Sequence, residues 1–251
     1  MTSLVLAILL IPQAADKQAE EAAVAAVTAC EQVFSKNKDT NARTEAMNTM
    51  AQTQHEKVLA KLLVYMSDPD KGVRVAAAAA TLSFQNATPE LKRLANKNLM
   101  RSLEAGINAK DIDFRVAVTN ALGTMAEEAS VTTVKTLLDD KSLRVSMAAV
   151  NACVALKQKP LLEALMQQQR ECEKTMKASA NVQFKGRKPT SAKKDPDAPP
   201  DPEDVKNERA ATMVTLIPPA VQQLTGQELK TGAEMEVWWN KNRSSFNFPE
   251  K

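Results

Sequence analysis

A short pattern recurs along this chain and constrains its fold more than any other feature. An arginine stands near the start of four predicted amphipathic helices: Arg43, Arg74, Arg115 and Arg144. In the last three, an apolar residue precedes the arginine and a valine follows it. The arginines lie about 30 to 40 residues apart, which is the period of helical-hairpin arrays. The repetition predicts a chain of stacked helix pairs.

A second helix is predicted after each arginine-bearing helix, because apolar residues recur there at three- and four-residue steps. These stripes cover residues 58–66, 91–103, 131–138 and 161–176. Acidic turns at 67–72, 110–113 and 139–142 separate one pair from the next, and their Asp and Ser side chains are expected to cap the following helix. Pro69 is expected to stop a helix, and Gly72 to adopt a conformation that other residues avoid. A longer loop is predicted from Ser83 to Pro89.

The composition agrees with an all-α chain. Only 4% of residues are aromatic and six are glycine, which disfavours a β-sandwich with its aromatic strands and glycine-rich turns. The apolar fraction of 44% is sufficient for a core. The net charge of +3 is too small to predict a nucleic-acid partner.

The order of an acidic turn, an apolar residue, arginine, valine and an alanine-rich helix resembles the HEAT-repeat family. The match is best at residues 62–82, next best at 137–156, and extends over 41–170. The resemblance implies an α-solenoid of HEAT-like helical hairpins, an α-α superhelix. Arg74, Arg115 and Arg144 match the family's repeated arginine, which implies ion pairs to the turn of an adjacent unit. The candidate acidic partners are Asp68, Asp70, Asp111, Asp113, Asp139 and Asp140.

The N-terminal residues 1–15 predict a signal peptide, because the short apolar run from Leu4 to Ile11 fits its hydrophobic region. No Lys or Arg precedes that run, and the alternative is an apolar stretch that packs on the first helix. Residues 16–40 are predicted as an N-terminal capping helix and 41–177 as the HEAT-like repeats. A cleaved signal implies an extracytoplasmic, periplasmic or secreted protein with no membrane span; without one the protein would be cytoplasmic.

The chain changes character after the repeats. Residues 178–203 are predicted to form a proline-rich charged linker, in which a basic block precedes an acidic one. A self-compensating solvated segment is the favoured interpretation, and a nucleic-acid or lipid contact is the alternative. Residues 204–251 predict a helical and aromatic tail, with a helix at 204–217 that Pro218 and Pro219 break.

The tail ends in a paired tryptophan, Trp238 and Trp239, followed by Arg243 and Phe246. Together with the upstream Leu-Thr-Gly segment this is similar to a tail on exported HEAT-type proteins of some bacteria. The favoured interpretation is a cap over the apolar end of the last hairpin. The alternative is an aromatic binding patch, because interface anchors are often Trp and Arg.

Catalytic motifs are missing from the sequence. His55 is the single histidine, and the chain has no Cys-x-x-Cys, no Gly-x-Ser-x-Gly and no glycine-rich phosphate loop. Cys30, Cys153 and Cys172 fall on apolar stripes and are predicted to be buried free thiols. We therefore expect a protein that is not an enzyme and that has no cofactor and no metal site.

The remaining function is to hold a protein partner. Several basic residues on the second helices are predicted to face away from the leucine stripes: Lys57, Lys61, Lys92, Lys97, Arg101 and Lys135. They favour an acidic partner, although a solvated helix face explains them equally well. With Trp238, Trp239 and Arg243 they are the candidate partner-binding residues. The sequence predicts a non-catalytic protein-binding scaffold; the alternative is a regulatory or adaptor subunit that modulates an enzyme.

Overall fold

A computed structural model describes the backbone of residues 3–184 and 202–249, and the side chains of 16–179 and 203–249. These residues form eleven α-helices and no β-strand, so the all-α prediction is confirmed. The helices are α1 (Ser3–Lys36), α2 (Thr40–Ala51), α3 (Glu56–Tyr65), α4 (Lys71–Ala80), α5 (Pro89–Glu104), α6 (Ile112–Met125), α7 (Val131–Leu138), α8 (Leu143–Leu156), α9 (Lys159–Phe184), α10 (Pro202–Thr225) and α11 (Gly232–Asn242).

Two predicted segments, the signal peptide and the linker, lie partly outside the described residues. The backbone of 3–15 belongs to α1, but its side chains are not described, so the signal peptide stays a prediction. Most of the predicted linker, 185–201, also lies outside. The chain divides into two compact units, Met1–Ser130 and Val131–Lys251, and the division falls within the predicted hairpin of α6 and α7.

Short-range capping decides where the helices of the first unit begin. The side chains of Asp39, Asp70 and Asp111 accept hydrogen bonds from backbone N–H groups at the starts of α2, α4 and α6. Each carboxylate satisfies amides that have no partner within the helix. The predicted caps of α4 and α6 are thereby confirmed, whereas the one predicted for α8 is wrong, since Ser142 precedes that helix without a side-chain capping bond.

Helices two apart in sequence pack side by side in the first unit. α2 contacts α4 and α4 contacts α6, while α1 contacts α3 and α3 contacts α5. The two rows also pack on each other through α1–α2, α3–α4 and α5–α6. The large buried side chains between them include Met47, Leu59, Leu62, Leu99 and Phe114. Such hairpins obtain a core from their neighbours, because one pair alone leaves its apolar face open.

Gly72 corrects the sequence prediction, because it lies within α4 and has no positive φ. A Cβ atom here would come within 2.6 Å of the Thr40 side chain. The hydroxyl of Thr40 donates to Asp70 at 2.7 Å, so α2 and α4 meet at this point. Glycine is needed for the close approach of two helices. The predicted loop at 83–89 is also partly wrong, since Thr81–Asn86 forms a 3₁₀ helix.

The described residues of the second unit form five α-helices, α7 to α11, and the last two lie in the predicted tail. α7 packs on α8 and α9, α10 packs on α8 and α9, and α11 packs on α9. The predicted tail is therefore packed against the preceding helices of its unit, chiefly α9. Gly226 ends α10 with φ at 73°, and its N–H donates to the Gln222 carbonyl at 2.7 Å. A left-handed residue at this position is a common helix stop that glycine adopts without strain.

The predicted break at Pro218 and Pro219 is wrong, because α10 continues through both prolines. Proline removes the N–H that would bind the carbonyl four residues earlier, which for Pro218 is that of Val214. The side chain of Gln169, fully buried on α9, donates to this carbonyl at 3.5 Å. Burial of Ile217, Ala220 and Val221 on both sides of the prolines adds to the stability of the helix.

Candidate functional site

Arg74 lies in a buried polar cluster between two hairpins of the first unit. Its guanidinium donates to the carbonyl oxygens of Asp68 and Pro69 in its own turn, at 2.9 and 3.1 Å. It also donates to the Asp111 carboxylate, which caps the helix of the next pair. Arg74 is 6% exposed and Asp111 8%. This arrangement joins two hairpins and leaves little of Arg74 for a ligand.

The other repeated arginines lie in different surroundings. Arg115 is half-buried and donates to the Ala109 carbonyl in its own turn at 3.4 Å. Desolvation lowers the pKa of its guanidinium. The side chain of Arg144 is exposed. Arg43 donates to the carbonyl oxygens of Asn37 and Phe34, at 2.8 and 3.3 Å. Arg43, Arg74 and Arg115 thus each donate to backbone carbonyl oxygens that precede their own helix.

Two basic residues of α3 are held by carboxylates of α1. Lys57 binds Glu20 at 2.6 Å, and Lys61 binds Glu31. The hydrogen bond from Lys57 lowers the pKa of the Glu20 carboxyl. Lys61 also lies over the ring of Tyr65 at 5.1 Å. These lysines therefore form a neutralised border and not a free basic surface.

An apolar groove of about 290 Å³ lies between α1 and α3. Val24 and Val27 of α1 and Val64 of α3 line it, and the stems of Lys57 and Lys61 lie at its edge. Val24 is 46% exposed and Val64 60%. Exposed valines from two neighbouring helices thus share one surface, and their chemistry suits an apolar protein side chain.

The remaining predicted basic residues divide into two kinds. Lys92 does not face outward as predicted, because its ammonium binds Glu127 at 3.4 Å and its side chain is only 27% exposed. Lys97 and Arg101 on α5 are exposed, as is Lys135 on α7. Lys135 lies at the edge of a polar cavity of about 550 Å³, which Glu171, Lys206 and other residues of the second unit line.

The two tryptophans of α11 have different surroundings. Trp239 is 8% exposed, and its indole N–H donates to Glu163 of α9 at 2.9 Å. Its ring meets Phe246 edge-on, with centroids 5.6 Å apart. Gly232 brings the start of α11 against α9, because a Cβ there would lie 2.3 Å from the Arg170 side chain. Trp239 therefore attaches the last helix to α9.

Trp238 faces a broad open hollow beside α11. The hollow measures about 800 Å³ and is lined by Trp238, Val237 and Leu229, among others. Val237 is 72% exposed. Arg243, at the end of α11, is exposed. The tail thus has a covered aromatic side formed by Trp239 and a partly open one formed by Trp238.

His55 and the cysteines take structural positions. His55 is the N-cap of α3, where its Nδ1 accepts from the Lys57 amide at 3.1 Å. All three cysteines are free and buried, so their predicted burial is confirmed. Burial raises the pKa of the Cys153 thiol to about 12 and also raises those of Cys30 and Cys172. Among the described side chains, no group of three or more His, Cys, Asp or Glu could hold a metal ion.

Sequence reasoning missed three exposed apolar side chains, those of Val24, Val64 and Val237. A stripe of apolar residues in the sequence does not show which of its members lie at the exposed edge. It also missed Arg93, which is exposed on α5. The spacing of Arg93, Lys97 and Arg101, at four-residue steps, was the available signal.

Comparison with known proteins identifies no family for this chain. No protein-family model matches the chain, and no curated protein matches it. Within residues 3–184 and 202–249, no helix is both long enough and apolar enough to cross a membrane.

Proposed function

We propose that this chain is a non-catalytic protein-binding scaffold built on HEAT-like repeats, with the second helices of successive hairpins as its binding surface. The observation that carries the proposal is the pair of exposed valines, Val24 and Val64, on one groove between α1 and α3. Contiguous exposed apolar side chains with a polar border are typical of protein contact surfaces. The paired lysines supply that border.

The repeated hairpins support a solenoid. The α2–α4–α6 and α1–α3–α5 contacts repeat one packing relation, and α8–α10 with α9–α11 repeat it in the second unit. In α-solenoids each repeat packs on its neighbours, and a long helix face stays open for binding. Buried cysteines and a histidine used as a helix cap agree with a role that is not catalytic.

The experiment that tests this function is capture of partners from the native organism with the full chain as bait. The groove variant changes Val24→Ser and Val64→Ser. Its control changes Ile107→Ser and Ile112→Ser, which alters two apolar side chains of similar exposure, 47% and 42%, outside the groove. We expect one protein in fixed stoichiometry with the unmodified chain and the control, and its loss with the groove variant. No stoichiometric partner, or equal recovery by both variants, refutes the proposal.

Two further outcomes of the same capture are informative. Trp238→Ala tests the hollow beside α11 and leaves the Glu163 contact of Trp239 in place. Loss of the partner with this variant alone would show that the binding site is on the tail. A captured enzyme whose turnover changes when the chain is added would favour the regulatory or adaptor function. The extracytoplasmic location stays a proposal, and mass spectrometry of the native protein's N-terminus tests it.

A further inference from the structure

The exposed face of α5 carries a row of cations that form no ion pair with another described side chain. Arg93, Lys97 and Arg101 are each exposed. Within the described side chains, no carboxylate lies within ion-pair distance of any of the three. Successive members are four residues apart, so they follow one helix face at intervals of about 6 Å. The row is therefore about 12 Å long.

This row differs from the other basic side chains of the second helices in the first unit. Lys57, Lys61 and Lys92 are each paired with a carboxylate of the same unit. An unpaired exposed cation keeps its charge available to a partner, and arginine binds carboxylates through two parallel hydrogen bonds. Leu94 and Met100 lie half-exposed beside the row and offer apolar contact area.

We propose that this face of α5 binds an acidic segment of the partner protein, with carboxylates spaced about 6 Å apart to meet Arg93, Lys97 and Arg101. The inference rests on the proposed scaffold function and names the chemistry of the partner. Charge complementarity across an interface gives specificity and speeds association, and these three residues supply the positive side.

The ends of the row favour a protein over a nucleic acid. Glu90 and Glu104 are exposed, and their positions on α5 place them on the same face, one at each end. A phosphate backbone carries negative charge along its whole length, so these carboxylates would repel it. A short acidic segment can bind between the two glutamates without reaching either. The net charge of +3 also supplies no extended basic field of the kind that nucleic acids require.

The direct test uses the full chain and a fluorescent alanine-based helical peptide with glutamates at four-residue steps. The same peptide with glutamine in place of glutamate is the probe control. The α5 variant combines Arg93→Gln, Lys97→Gln and Arg101→Gln. The protein control combines Lys36→Gln, Lys38→Gln and Lys110→Gln, which removes three other exposed cations of the first unit. Circular dichroism checks that both variants fold, as expected for exposed side chains without ion pairs.

We expect the acidic peptide to bind the unmodified chain and the α5 variant to weaken binding about tenfold, equivalent to about 1.4 kcal/mol. The protein control should weaken it less than about twofold, and added salt should weaken it for the unmodified chain. Equal losses in both variants would overturn the inference, because net charge alone would then explain binding. Absence of binding by the acidic peptide would also overturn it.

Competing ligands and the natural partner complete the test. Tighter binding of an oligothymidine of equal charge, lost in the α5 variant, would overturn the inference in favour of a nucleic acid. Binding to phosphatidylserine vesicles with the same loss would overturn it in favour of a membrane surface. A natural partner that depends on the Val24 and Val64 groove but not on α5 would overturn it and leave the scaffold function intact.

Discussion

The buried contact between Arg74 and Asp111 leads to the most specific prediction about stability. Arg74→Met keeps most of the aliphatic volume and removes the guanidinium. The carbonyl oxygens of Asp68 and Pro69 then lose their donors, and the Asp111 carboxylate loses its close cation. Removing one partner of a buried ion pair costs about 3–5 kcal/mol. Asp111 keeps its hydrogen bond from the Phe114 amide, so we expect the lower end, about 3 kcal/mol.

The assay is equilibrium urea unfolding of the full chain, followed by circular dichroism at 222 nm. Tryptophan fluorescence is recorded in parallel as a signal from the second unit, which contains Trp238 and Trp239. Asp111→Asn and the double variant complete a cycle, with an expected coupling energy of about 1–2 kcal/mol because the two residues touch. Arg93→Met is the matched control and should change stability by less than about 0.5 kcal/mol.

The reasoning would be refuted by two results. One is a loss of less than about 1 kcal/mol in the free energy of unfolding on Arg74→Met, since removing a buried ion pair with three hydrogen bonds should destabilise the protein more than that. The other is strict additivity with Asp111→Asn, which would mean that the contact contributes nothing specific. A large effect of Arg93→Met would show that charge removal alone destabilises the unit.

Three further predictions concern the second unit. Gly232→Ala should cost about 1–3 kcal/mol and red-shift tryptophan emission, because the added methyl meets both the side chain and the backbone of Arg170. Pro218→Ala should raise stability by about 1–3 kcal/mol, because it restores the amide that can bind the Val214 carbonyl. Above pH 9, stability should fall with rising pH by up to about 1.4 kcal/mol per unit from Cys153, because its thiol stays protonated only when buried. Cys153→Ala should reduce that slope.

Controls for these predictions use the same chemical changes elsewhere. Gly106→Ala places a methyl where nothing lies within 4 Å, so it should not destabilise the chain. Pro89→Ala is at the first turn of α5, where proline costs the helix no hydrogen bond, so no comparable gain is expected. An unchanged alkaline slope in Cys153→Ala, or tryptophan emission unaffected by Gly232→Ala, would contradict the respective argument.

Much of the fold could be predicted from sequence because its causes are local. Asp70 and Asp111 lie three residues or fewer from the amides that they cap, and the apolar stripes repeat within each helix turn. Residue type and spacing therefore suffice to place α2 to α9. These features led to the all-α class and to the second helices as candidates for binding. The predicted pairing of each arginine-bearing helix with the helix after it is not the main one, because the second helix packs more closely on the next arginine-bearing helix, as in α3–α4, α5–α6 and α7–α8.

Which charges of the candidate site are paired depends on contacts between residues that are far apart in the sequence. Lys57 and Glu20 are 37 residues apart in sequence, and only the packing of α1 on α3 shows that their charges cancel. The packing brings no carboxylate of the described side chains within ion-pair distance of Arg93. Similarly, the Gln169 side chain reaches the carbonyl that Pro218 leaves without a donor, which proline propensity alone does not predict.

The sequence by itself thus determined which segments are helices, where most of them begin and how often the pairs recur, because capping and periodicity act over a few residues. Only the tertiary structure decided which charges are paired, which valines stay exposed and that both helices of the tail pack on α9. Those properties depend on distances between side chains far apart in the chain, which are fixed when the helices pack.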